Sequence, residues 1–181
     1  MDDRLGNLFD TYEDKLYRLA RRLSANAEDA HDLVQETFLR AARSLPSIPD
    51  GSDARAWLVR VLVNIKRDQW RKRTVRARAA AIIGRPPDAV TATAESALIA
   101  KRAVWSALDA LAPRRRAIVV LSEIDGMSPQ EIARLLGLAV MTVRWHLSMA
   151  RRELKSALVE YLGEHHENAV RSAPRRRSAA R

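Results

Sequence analysis

The chain of 181 residues contains no cysteine, which excludes disulfides and thiolate metal sites. Glycine and proline are scarce, at six and seven residues, so turn chemistry is limited and helix is favoured. Aromatic side chains make up only 5% of the chain. No apolar run approaches the roughly 18 residues of a membrane span. The opening MDDRLGNLFD is acidic and lacks the order of a signal peptide. These absences point to a soluble, cytoplasmic protein. The four histidines, His31, His146, His165 and His166, form no cluster with carboxylates at a metal-ligand spacing. With neither a phosphate loop nor a nucleophile motif, no cofactor, metal or catalytic role is expected.

What is present is apolar and cationic. The chain is 47% hydrophobic and 30% charged, with a net charge of +10. It can therefore bury a core while attracting a polyanion. The charge is unevenly placed. Residues 1–59 hold eight Lys and Arg against eleven Asp and Glu, whereas residues 60–78 hold eight against one. An acidic first third followed by a dense basic segment suits two kinds of partner. A merely solvated face explains charge on an unspecified helix about as well.

Leu5, Leu8, Tyr12, Leu16, Leu19 and Leu23 recur at spacings of three and four, which predicts an amphipathic helix. A second helix follows, with Asn26 as its N-cap and Asp29 in its first turn. It buries Ala30, Leu33 or Val34, Phe38 and Ala41, and shows Asp32, Gln35, Glu36 and Arg40 on its other side. PSIPDGSD, from Pro46 to Asp53, breaks the chain. A third helix starts near Ala54, capped by Ser52 or Asp53, with Trp57, Leu58, Val61, Leu62 and Ile65 inward. Arg60, Asn64, Arg67 and Arg71 fall on one polar stripe at about 100° per residue, and Lys72, Arg73, Arg76 and Arg78 extend its charge. An asparagine inside a basic stripe suits phosphates and exposed bases. Trp57 reads as core, while Trp70 fits a core position and a nucleic-acid contact equally.

From Ala79 to Ala97 the periodicity fails and the composition is that of a linker. The expected fold is all-α: two small helical domains, 1–78 and 98–162, joined by a flexible linker at 79–97. A basic, disordered tail is expected over 163–181, serving solubility or a nonspecific DNA tether. In the second unit Leu98, Ala103, Trp105, Leu108 and Leu111 point inward. PRRRAIVVLSEIDG, from Pro113, reads as helix because no partner strand exists for it. SPQE at Ser128–Glu131 has the pattern of a capping box with Pro129 at the first helical position. Gly137 ends that helix. The next one sets Val143, Leu147, Ala150 and Leu154 inward, with Arg144, Trp145, Ser148, Arg151, Arg152 and Lys155 opposite. A capped helix, a glycine turn and a cationic second helix form a helix-turn-helix that binds DNA. Its arginines suit guanine edges, and Thr142 and Ser148 suit phosphates or base edges.

Three blocks now carry a resemblance: EDAHDLVQETFLRA, RAWLVRVLVNIKRDQWRKR, and the run from PRRRAIVVLSEIDG to SMARREL. In this order, covering most of Leu8 to Leu158, they resemble the extracytoplasmic-function (ECF) subfamily of bacterial sigma-70 factors, which keeps only the second and fourth conserved regions. The resemblance implies a promoter-specificity subunit of RNA polymerase, not an enzyme, with core polymerase, promoter DNA and an anti-sigma factor as partners. Asp32, Gln35 and Glu36 would dock on the largest polymerase subunit. The loop from Pro46 to Asp53, with Arg60, Asn64, Arg67, Arg71, Lys72 and Arg73, would engage the minus-ten element and capture a flipped base. Extruding a base costs a few kcal/mol, so it needs a pocket and stacking groups. Thr142, Arg144, Trp145, Ser148, Arg151 and Arg152 would read the minus-thirty-five element, and the linker would thread toward the RNA exit path.

Two departures from the family pattern stand out. Ala139 sits where a capping Ser is common, at a cost of about 1 kcal/mol to the recognition helix. Trp145-His146 replaces a small or basic pair, so Trp145 would contact sugar or a thymine methyl, or be pinned by another protein domain. The rival reading is a free-standing helix-turn-helix repressor or activator. A DNA-processing enzyme such as a recombinase would need a nucleophile that the chain does not offer.

Overall fold

The structure is a computed structural model that describes residues 3–82 and 96–172. Among the described residues every regular element is a helix: α1 (Asp3–Leu23), α2 (Ala27–Arg43), α3 (Ser52–Ile82), α4 (Ser96–Ala110), α5 (Pro113–Val119), α6 (Pro129–Leu136) and α7 (Val140–Ser172). A 3₁₀ turn spans Leu45–Ser47 and a π-helical turn spans Val120–Ile124.

Local chemistry sets these boundaries. The Asn26 side chain accepts from the Asp29 N–H at 2.7 Å, which fixes the start of α2 only three residues after α1 ends. A connection that short turns α2 back along α1, and the two helices pack on each other. Leu16, Leu33, Leu58 and Leu62 are fully buried where α1, α2 and α3 meet. Both Leu33 and Val34 are buried, and Trp57 packs at the core's edge. The apolar stretch after Pro113 is helical, as expected. It widens into the π-helical turn and stops at Gly126, whose φ of 66° suits a residue without Cβ.

Two boundaries differ from expectation. Of the linker expected at 79–97, residues 79–82 continue α3 and residues 96–97 begin α4. Alanines 79–81 are good helix formers and let α3 propagate. The tail expected at 163–181 is helical as far as Ser172. A lone Gly163 costs about 1 kcal/mol in a helix, too little to end one flanked by leucine, glutamates and alanine. Residues 83–95 and 173–181 lie outside the described residues.

The second unit packs α4, α5 and α6 against α7. The two units also share one apolar cluster, which runs from Leu16 and Leu62 to Ile118, Ile132 and Val143. Helices α5 and α6 pack on α3, and α5 also touches α1. Polar groups pin this seam. The Arg116 side chain is 5% exposed; its Nε donates to the Arg22 carbonyl at 2.7 Å and its guanidinium pairs with Asp109. Arg22 in turn pairs with Asp125. Sequence reasoning supplied the two units but not this contact between them.

Candidate nucleic-acid interface

The helix-turn-helix forms as its punctuation dictates. At the start of α6 the Ser128 N–H donates to Glu131 at 2.7 Å, and the Glu131 N–H donates to the Ser128 hydroxyl at 3.3 Å. The Ser128 hydroxyl also donates to the Glu131 carboxylate at 2.7 Å, and this bond, then the one from the Ser128 N–H, holds the carboxyl below its ordinary pKa. Gly137, at φ 65°, lets the Leu138 N–H reach back to the Ala133 carbonyl at 2.9 Å. The chain thereby turns into α7 within three residues.

Helix α7 buries Val143, Leu147 and Ala150. Arg144, Trp145, Ser148, Arg151 and Arg152 are exposed and Thr142 is half-buried, so the expected outer face is one continuous surface. Trp145 is 54% exposed, an unusual state for so large an apolar ring. It stacks edge-on against His146, with ring centroids 4.9 Å apart. The Arg115 guanidinium lies 5.7 Å from the centroid of the Trp145 ring while pairing with Glu153. Arg151 pairs with Glu123 at 2.9 Å. His146 Nδ1 is buried without a hydrogen-bond partner, and burial, then Arg115 and Arg114, hold its pKa below the usual histidine value.

The basic stripe of α3 is divided. Arg67 and Arg71 are exposed, with Arg67 3.5 Å from Asp68, while Arg60 and Asn64 are half-buried. Val63, Arg114, Leu136, Gly137 and Leu138 join Arg60 and Asn64 around a cavity of about 110 Å³. Lys72 and Arg73, grouped with this stripe on sequence, are placed elsewhere. Lys72 turns toward α2 and lines a groove of about 430 Å³ with Asp32, Gln35, Glu36, Leu39, Arg40, Ile65, Asp68 and Gln69. Arg73 lines a cleft at the seam with Lys66, Trp70 and Arg116. At 100° per residue these two positions lie well round the helix from Arg60 and Arg67.

The groove brings Asp32, Gln35 and Glu36 together. Asp32 and Gln35 are exposed, Glu36 pairs with Arg40 at 3.0 Å, and Leu39 is 52% exposed beside them. Acidic groups around an open leucine suit a protein partner better than DNA. Sequence reasoning missed Lys66. It is 4% exposed, and its ammonium donates to the Ser24 hydroxyl at 3.2 Å, with no carboxylate of the described residues in ion-pair reach. Burial, then the Arg73 charge, holds it below the usual lysine range. Trp70 sits at the seam cleft rather than on the exposed stripe.

With the acidic groove and the cationic helix-turn-helix in view, comparison with known proteins is direct. Residues 8–76 match the family model for sigma-70 region 2, and residues 101–154 match that for sigma-70 region 4. The chain belongs to the sigma-70 family of RNA polymerase sigma factors. Its relatives narrow this to the ECF group. It is 37% identical to ECF RNA polymerase sigma factor SigL of Mycobacterium tuberculosis over 164 residues, covering 84% of this chain and 88% of that one. It is 36% identical to ECF RNA polymerase sigma factor SigE of Mycolicibacterium smegmatis over 168 residues, covering 90% of this chain but 63% of SigE. Among solved structures it resembles the sigma factor RpoE, in complex with the anti-sigma factor NepR from Bartonella quintana. The TM-score is 0.58 at 27% identity, covering 83% of this chain and 93% of that one. It also resembles CnrH in complex with the cytosolic domain of CnrY, with a TM-score of 0.56 at 28% identity, covering 86% and 88%.

Proposed function

We propose that this chain is a promoter-specificity subunit: it binds core RNA polymerase, reads promoter DNA in two places and directs initiation, without chemistry of its own. The observation that carries the reading is the exposed cationic face of α7, held by a capped helix-turn-helix inside the region 4 match. The unit built on α1–α3 is the region 2-like domain and the unit built on α4–α7 the region 4-like domain. Asp32, Gln35 and Glu36 form the polymerase-docking face, around the exposed Leu39. Lys72 lines the same groove and belongs with that face.

Arg60, Asn64, Arg67 and Arg71, with the loop before α3, form the minus-ten surface, and Arg73 supplies flanking charge. Thr142, Arg144, Trp145, Ser148, Arg151 and Arg152 form the minus-thirty-five surface, where Arg144 has no carboxylate in ion-pair reach among the described residues. An anti-sigma factor covering these surfaces is the expected antagonist, as the complexes with NepR and CnrY suggest. Partnership with polymerase implies a cytoplasmic location, and no helix of the described residues is long and apolar enough to cross a membrane.

Transcription reconstituted from purified core polymerase and this chain tests the reading. We expect promoter-specific run-off transcripts that core alone does not give. A chain that neither binds core nor initiates from any promoter selected out of a random-sequence library sinks it.

A further inference from the structure

The loop from Pro46 to Asp53 has little regular structure to hold it. Leu45 and Ile48 are buried and anchor its floor, while Pro46, Ser47, Pro49 and Asp50 are exposed. The bonds of the Leu45–Ser47 turn, and the Ala54 N–H at 3.2 Å from the Gly51 carbonyl, close its two ends. Between them, no backbone N–H of the described residues reaches the Ile48 carbonyl. The missing bonds come from α1, about forty residues earlier in the chain. Arg4 Nη1 donates to the Leu45 carbonyl at 3.1 Å. Its Nη2 donates to the Ile48 carbonyl and, at 2.7 Å, to the Asp50 carboxylate. The Tyr12 hydroxyl donates to the Gly51 carbonyl at 3.0 Å.

One guanidinium thus ties three points of the loop, and a phenol ties a fourth. A planar fork of donors can span several acceptors at once, which the point charge of a lysine cannot. The pairing also matters for charge. The Asp50 side chain is 94% exposed, and a bare carboxylate on a loop that faces DNA would repel phosphates. Arg4 offsets that charge while fixing where it sits. A loop ordered in advance spends none of its contact energy on becoming ordered, so its contacts can go to telling one base from another. The buried Leu45 and Ile48 side chains hold the floor in any case. What Arg4 and Tyr12 add is the setting of the outer backbone.

We infer that Arg4, helped by Tyr12, is the positioning residue of the minus-ten loop, so that base choice there is set from α1 as well as by the loop itself. The inference rests on the assignment of this loop to the minus-ten element made above. Neither side chain touches the base in this account. Both act through the carbonyls of Leu45, Ile48 and Gly51 and through the Asp50 carboxylate.

The test is a ratio rather than a rate. Holoenzyme is reconstituted from core polymerase and the wild-type, Arg4→Ala, Arg4→Lys or Tyr12→Phe chain. Run-off transcription is measured on a promoter selected by the wild-type holoenzyme and on its single-base variants across the minus-ten element. A smaller folded fraction lowers all these rates together and leaves their ratios alone, whereas a misplaced loop changes the ratios. The position read by the loop is the one whose ratio shifts when Ser47 and Pro49 are both replaced by alanine. There we expect Arg4→Ala to lose at least fivefold of the preference for the selected base, with affinity for core unchanged. Tyr12→Phe should lose less at the same position. Unchanged ratios in Arg4→Ala overturn the inference. So does full preference in Arg4→Lys, because a charge without the fork would then suffice. The loop assignment is checked separately by the Ser47 and Pro49 replacement with Arg4 in place: wild-type ratios at every minus-ten position remove the basis of the proposal whatever Arg4 does.

Discussion

Lys66 shows how a single side chain can oppose the fold that contains it. A buried ammonium with one hydroxyl partner is undercompensated, since it has lost water and gained little. Its folded pKa lies below the unfolded value of 10.5, so within that window the unfolded chain holds more protons than the folded one. Stability contributed at this site therefore rises with pH through the window and is at its lowest below the folded pKa. Lys66→Met should raise stability by about 1 kcal/mol near neutral pH and remove this part of the alkaline rise. Urea denaturation at pH 7 and pH 10 checks both, and a less stable variant at pH 7 would show that the ammonium is better compensated than its contacts indicate. His146 follows the same sign at lower pH. Its folded pKa is depressed from 6.5, so stability falls as pH drops through that value, and His146→Gln should flatten that slope.

At the scale of elements, the capping box and Gly137 carry most of the geometry of the helix-turn-helix. Ser128→Ala leaves the Glu131 N–H without its side-chain acceptor and should cost about 1 kcal/mol, measurable as a shifted denaturation midpoint with an unchanged slope. Helix α7 shows the division between framework and function along its own length. Val143, Leu147 and Ala150 hold it in place while Arg144 faces solvent. Arg144→Ala should weaken binding to duplex minus-thirty-five DNA by about 1–3 kcal/mol and leave affinity for core polymerase unchanged. Equal loss of both, in a folded variant, would contradict the separation of surfaces. On α2, Asp32→Lys should do the reverse, weakening core binding while duplex binding by the free chain is retained.

At the scale of the whole molecule, legibility in the sequence had a clear limit. Helix faces were readable because burial within one helix is periodic: Leu16, Leu19 and Leu23, or Val143, Leu147 and Ala150, follow from 3.6 residues per turn. Caps at Asn26 and Ser128 and the turn at Gly137 were readable because each rests on chemistry within a few residues. The seam rests on neither. Arg116 looks like one of three consecutive surface arginines until α1 supplies the Arg22 carbonyl, 94 residues away in the chain. Lys66 likewise reads as one more charge in a basic run. Only packing shows that it faces Ser24, and that Lys72 lines the groove with Asp32 and Glu36. The shared core also predicts cooperativity: the wild-type chain should unfold in one calorimetric transition, and Arg116→Met should split it into two.

The packing of the α6–α7 turn beside Arg60 and Asn64 also has a history in time, because the chain is made from its N-terminus. The stripe of α3 is complete once residue 76 has been added, but Gly137 follows about sixty residues later, roughly 3–12 s at ordinary rates of synthesis. For that interval the basic stripe of α3 has no α6–α7 turn beside it. The arginines of the newborn chain are thus most open to stray nucleic acid before the second unit exists, and closure by α6 and α7 ends an exposure that begins at birth.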